Sequence, residues 1–142
     1  MKKYNYLCRR KSTTQMLSRF KKYLEIKGIT PTTEVEEQIT FLFDGLYYIF
    51  IYEKADANYF RLILPSILKI DRGKEAFFEL VNDLNQRFKV AKLTLTTDGM
   101  VWASVEQFVY SHDGIELLFE RCFAVLRGIV LYLQQEKSQN ND

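Results

Sequence analysis

Ile39-Thr40-Phe41-Leu42-Phe43-Asp44-Gly45-Leu46-Tyr47-Tyr48-Ile49-Phe50-Ile51-Tyr52 decides the fold. Two β-rich runs, over about 35–43 and 46–53, flank Asp44-Gly45. That pair suits a tight hairpin, whose two central residues both need positive φ. A two-residue loop sets Phe43 opposite Leu46, Phe41 opposite Tyr48 and Ile39 opposite Phe50. Strand side chains alternate, so these six share one solidly apolar face, the expected core. The other face carries Gln38, Thr40, Leu42, Tyr47, Ile49 and Ile51, and is only half apolar.

Toward the C-terminus, a third strand is predicted from Tyr59 to about Leu64. Pro65 cannot donate to a ladder, which implies an edge strand or a bulge there. Asp71-Arg72-Gly73 opens a second helix, to about Phe88, with an apolar stripe of Phe77, Leu80, Val81, Leu84 and Phe88. A second hairpin follows at Asp98-Gly99. The same two-residue loop pairs Leu95 with Trp102 and Thr97 with Met100, turning Thr94, Thr96 and Ala103 to the other face. His112-Asp113-Gly114 starts a last helix, to about Glu136, with Asp113 as its cap and His112 at the surface. Toward the N-terminus, 29–33 reads as a linker. Before it, a helix runs from a cap at Ser12, Thr13 or Thr14 to about Lys27, with Gly28 as the left-handed stop. Its stripe is Leu17, Phe20, Tyr23 and Leu24.

The expected fold is therefore a single α+β domain in the order αβββαββα. It has an antiparallel sheet of about five strands with three helices packed against it. Residues 1–11 read as a basic flexible arm, 12–136 as the domain and 137–142 as a disordered tail.

The last helix is apolar on two sides. Ile115, Leu118, Phe119, Cys122, Leu126, Ile129, Val130 and Leu133 form the core stripe. Leu117, Ala124, Gly128 and Leu131 lie nearly opposite. Gly in a helix interior costs ~1 kcal/mol against Ala. Next to Ala124, it would let another backbone come close, from the first helix or from a second protein. Leu117, Ala124, Gly128 and Leu131 are thus one candidate protein interface, and Tyr47, Ile49 and Ile51 on the half-apolar sheet face are another.

Composition narrows the function. Apolar residues make up 47% of the 142, enough to bury a core. Two cysteines are too few for a disulfide scaffold. Cys122, on the core stripe, reads as an inert buried thiol, and Cys8, in the basic arm, as an exposed idle one. The single histidine, His112, excludes His-rich metal sites and every mechanism that needs two imidazoles. No phosphate-binding glycine loop and no G-x-S-x-G elbow occurs. Glu34, Glu36 and Glu37 read as a solvated edge. No catalytic, cofactor or metal site is expected. No signal segment or spanning run is seen, so a soluble cytoplasmic protein is expected, without a membrane partner.

Charge is uneven. Residues 1–27 hold nine Lys/Arg against one acid, Glu25, while the remainder holds 11 basic and 17 acidic residues. The basic segment either attracts the acidic body or contacts a polyanion through Lys2, Lys3, Arg9, Arg10 and Lys11. Aromatics on a sheet beside basic residues fit RNA recognition, but the signature octapeptide of that fold is absent. Nucleic acid therefore ranks below protein as a partner.

From Leu80 the chain reads Leu80-Val81-Asn82-Asp83-Leu84-Asn85-Gln86-Arg87-Phe88-Lys89-Val90-Ala91-Lys92-Leu93-Thr94-Leu95-Thr96-Thr97-Asp98-Gly99-Met100-Val101-Trp102. This resembles the bacterial YbjN-like family, within the type III secretion chaperone-like fold. A helix leading to a lysine-marked strand, an Asp-Gly hairpin and a long apolar last helix carries the resemblance, together with the element order over about residues 12–136. It implies a small non-enzymatic protein that binds other proteins, chaperone-like or regulatory, often as a dimer. The expected partner is a protein client or a second copy of the chain. Secretion chaperones of this fold tend to be acidic, whereas this chain has a pI of ≈ 8.5. No catalytic set carries over.

Overall fold

The Asp44-Gly45 hairpin forms in the expected register. Phe43 pairs with Leu46, Phe41 with Tyr48 and Ile39 with Phe50. Asp44 and Gly45 both take positive φ, 50° and 78°, as the two central residues of such a turn must. The computed structural model describes residues 6–70 and 73–140, with side chains from residue 15 onward. Along the chain run α1 (Tyr6–Ile26), β1 (Pro31–Val35), β2 (Gln38–Phe43), β3 (Leu46–Glu53), β4 (Asp56–Lys69), α2 (Lys74–Arg87), β5 (Ala91–Leu95), β6 (Met100–Phe108) and α3 (Ile115–Gln139). The strands form one antiparallel sheet in the order β1-β2-β3-β4-β6-β5. The α+β class holds, with six strands instead of about five.

The additional strand is β1, expected as linker. It pairs with β2 through a tight turn at Glu36-Glu37. Glu37 holds φ 63°, and the turn is tied to the far end of β3. The Tyr52 N–H donates to the Glu37 carbonyl at 3.1 Å, and the Lys54 N–H donates to the Glu37 carboxylate at 2.7 Å. Glu36 pairs with the Lys54 ammonium. These acids therefore build a turn and are not merely a solvated edge.

Pro65 does not end β4. The strand is central and runs on to Lys69, with an irregularity between Leu64, paired with Ala103, and Leu68, paired with Val101. Pro65 sits inside this bulge, where it takes no ladder position.

The second hairpin departs from the expected register by one residue. Leu95 pairs with Val101 and Thr94 with Trp102. The Gly99 N–H donates to the Thr96 carbonyl at 3.1 Å, and Gly99 holds φ 82°. This is a three-residue loop with a left-handed glycine. Slipping a register by one turns every side chain over. Val101, Ala103 and Val105 are consequently buried in the core, and Trp102 stands on the opposite face.

All three helices serve the core face. α1 lies over β3 and β4, α3 over β4 and β6, and α2 against β5. Phe20 stacks on Phe50 at 3.7 Å and meets the edge of Phe119 at 5.0 Å. Phe123 sets its edge against Tyr48 at 5.0 Å and Phe41 at 6.0 Å. Burying aromatic rings of this kind contributes ~1.5–3 kcal/mol each. The expected cap residues Ser12–Thr14 fall inside α1, which begins at Tyr6. Neither later helix has a side-chain cap: Gly73 precedes α2 and Gly114 precedes α3, both at positive φ.

Candidate functional site

The sheet face away from the helices carries no helix among the described residues. Its centre is apolar by strand alternation. Ile49 of β3 pairs with Ile63 of β4, and Tyr47 pairs with Leu42. Ile63 is buried with no helix above it among the described residues. Tyr47 is 55% exposed and Leu42 47% exposed. Ile49, Ile51 and Trp102 are half-buried. At one end, Tyr59 pairs with Phe108, their rings 6.0 Å apart, and Phe108 is 65% exposed.

A charged row, Arg61 beside Glu106, crosses this face between the Ile49–Ile63 pair and the Tyr59–Phe108 pair, and the Arg61 Nε has no hydrogen-bond partner among the described residues. Arg61 sits between Ile51 and Glu106 in the ladder. Glu106 accepts from Lys92 at 3.0 Å and lies 3.9 Å from Arg61. An apolar strip beside a row of charged side chains has the anatomy of a protein contact: apolar centre, polar rim.

The other expected interface is on the far side of the molecule. α3 packs on the core face, so its outer ridge points away from the sheet. Leu117 and Leu131 are exposed there, and Ala124 with them. Gly128 does not face α1. A Cβ at this position would meet the Phe88 ring at 3.1 Å, so the glycine seats the aromatic ring that ends α2. The two candidate sets, Leu117, Ala124, Gly128 and Leu131 against Tyr47, Ile49 and Ile51, therefore form two separate surfaces. Trp102, Tyr59 and Phe108 extend the sheet set. Sequence reasoning missed Trp102 because it rested on the wrong hairpin register.

Lys2 and Lys3 lie outside the described residues, as do the side chains of Arg9, Arg10, Lys11 and Cys8. Three of the four described basic side chains of the segment are paired with the body: Arg19 with Glu116 at 3.3 Å, Lys21 with Glu34 at 2.9 Å, and Lys27 with Glu120, while Lys22 is exposed. Burial, and after it the Glu120 carboxylate alongside, raises the Tyr23 hydroxyl well above the ordinary phenol range.

Among the described residues, no group of three or more His, Cys, Asp or Glu side chains could hold a metal ion. Cys122 is buried, and burial pushes its thiol up to about 11. His112 is half-buried, not at the surface, and its Nδ1 has no hydrogen-bond partner among the described residues. Asp113 does not cap α3; its own N–H donates to the Ser111 hydroxyl oxygen at 3.2 Å. An open cleft of about 370 Å³ lies beside the end of α1, lined by Lys21, Leu24, Glu25, Ile29 and Glu34 among others. Two of its three charged side chains, Lys21 and Glu34, are occupied with each other. No helix among the described residues is long and apolar enough to cross a membrane.

No family model matches the chain, and no curated protein does. Solved structures do. One is YbjN from E. coli, described as a candidate transcription regulator: 13% identity, TM-score 0.59, covering 85% of this chain and 93% of that one. Another is an uncharacterized protein from Methanothermobacter thermautotrophicus: 13% identity, TM-score 0.56, covering 87% of this chain and 98% of that one. The fold of this chain is YbjN-like.

Proposed function

We propose that this chain is a non-enzymatic protein-interaction domain, chaperone-like or regulatory, whose partner docks on the helix-free sheet face. The observation that carries this reading is the apolar strip of Tyr47, Ile49, Ile51, Ile63 and Trp102, left without a helix while three helices crowd the other face. Fully covering an exposed side chain contributes ~1.5–3 kcal/mol; Tyr47, 55% exposed, stands to gain most of this, and the half-buried Ile49, Ile51 and Trp102 a smaller share. A few such anchors dominate a typical interface, with Tyr and Trp prominent among them. The fold neighbour's description as a candidate regulator is in keeping with a binding role.

The second reading is polyanion binding through the basic N-terminal segment. It is favoured by the nine Lys/Arg within residues 1–27. The pairing of Arg19, Lys21 and Lys27 with body carboxylates leaves Lys2, Lys3, Arg9, Arg10 and Lys11 as the residues that would make the contact.

The test is capture from native lysate with the tagged chain, with and without nuclease, at low and high salt. Ile49→Asp and Leu117→Asp are run beside the parent, and circular dichroism checks their folding. A defined protein that survives nuclease and salt, is lost with Ile49→Asp and is kept with Leu117→Asp supports the sheet face. Loss with nuclease or salt moves the reading to the basic segment. Loss with Leu117→Asp alone moves it to the α3 ridge.

A further inference from the structure

α2 is attached differently from the other elements. Of its fourteen residues only Leu84 is buried, whereas α3 buries seven. Phe77, Leu80 and Val81, the rest of its apolar stripe, are only half-covered, and Phe78 is exposed. No side chain caps its first turn. The chain enters through Gly73 at φ 83° and leaves through Val90 at φ 58°. A glycine at such an angle is an easy pivot, but a β-branched residue there is strained.

Two contacts fasten α2 to α3. The Phe88 ring rests on Gly128. Beside it, the Tyr132 hydroxyl donates to Asp83 at 2.6 Å, Arg87 donates to the same carboxylate at 2.8 Å, and the Arg87 guanidinium covers the Tyr132 ring at 4.7 Å. This cluster is at the surface, where such contacts contribute little. By contrast, α1 and α3 are interlocked by Phe20, Tyr23, Phe119 and Phe123 in the interior.

We infer that α2 is a hinged flap, pivoting at Gly73 and Val90 and latched by Asp83–Tyr132–Arg87, that opens while the sheet, α1 and α3 stay folded. Opening uncovers Leu84 and the Gly128 seat on α3. Elements with few buried contacts open first, at free energies well below global unfolding. The inference does not depend on the sheet face being a docking site.

The experiment is hydrogen exchange of the full chain, read by mass spectrometry at peptide level, on the parent and on Tyr132→Phe. The expected result is α2 amides protected at least about a hundredfold less than those of α3. Tyr132→Phe should speed α2 exchange about three- to tenfold and leave α1 and α3 unchanged. Equal protection of α2 and α3 overturns the flap. A common acceleration of all three helices overturns it too, since α2 would then open only with the whole fold. Unchanged α2 rates in Tyr132→Phe overturn the latch.

Discussion

Replacing Tyr48 by Phe should stabilise the protein. Tyr48 is fully buried, stacked on Phe41 at 5.7 Å and set against the Phe123 edge at 5.0 Å. Its hydroxyl has no hydrogen-bond partner among the described residues, and burial pushes its pKa up to about 12. The substitution keeps the ring and both aromatic contacts and removes only the oxygen. A buried polar group without a partner costs about 1–3 kcal/mol. Part of this returns as a small unfilled space, so the net gain should be about 1–2 kcal/mol. For a chain of this length that raises Tm by roughly 3–8 °C. Urea unfolding followed by circular dichroism measures it, with an unchanged slope showing that only stability moved. A loss of about 0.5 kcal/mol or more would refute the reasoning, because the hydroxyl would then be bonded in solution.

Further outcomes follow from particular residues. Phe119→Ala should lose about 3–5 kcal/mol in the same assay, since its ring edges meet Phe20, Phe50 and Phe60. Val90→Asn should gain about 1 kcal/mol, because Asn tolerates the left-handed φ and Val90 is exposed. The Tyr132 hydroxyl, then Arg87, holds Asp83 below the ordinary carboxylate range. That contribution is full above the usual aspartate pKa and is lost as pH falls through the lowered value, so acid should loosen α2; Asp83→Asn should remove this acid step in α2 exchange. In a Cys8→Ser background, Cys122 should resist thiol reagents at pH 8 until the chain unfolds, because burial pushes its thiol up to about 11.

What was legible in the sequence depended on how local the determinant was. The Asp44-Gly45 register was correct because the turn and both apolar runs adjoin one another. The α3 stripe was correct at Ile115, Phe119, Cys122, Leu126, Ile129 and Leu133, all buried. Asp98-Gly99 misled because an Asp-Gly pair fits both a two-residue loop and a three-residue loop with left-handed glycine. The choice fell to packing, which puts Val101, Ala103 and Val105 inside. β1 was hidden because its turn is Glu36-Glu37, held by Lys54 and Tyr52 from elsewhere and not by turn-forming residue types. The seat at Gly128 was read as space for a backbone. That Phe88 fills it is a non-local fact no spacing rule contains. The half-apolar sheet face was legible at Tyr47, Ile49 and Ile51, but its lack of a helical cover was not.

The interlock of α1 with α3 joins the first helix to the last, 97 residues apart in the Arg19–Glu116 pair. During synthesis the meander β1 to β4 and α1 emerge first and can close on themselves locally. Phe20 can stack on Phe50 and Phe41 on Tyr48 at this stage, but the sides of these pairs that meet Phe119 and Phe123 must wait for α3 to leave the ribosome. At ~5–20 residues per second the wait lasts several seconds or more, with a bare aromatic surface on offer to other chains. The nascent chain of this protein should itself depend on holding factors until its C-terminal helix arrives.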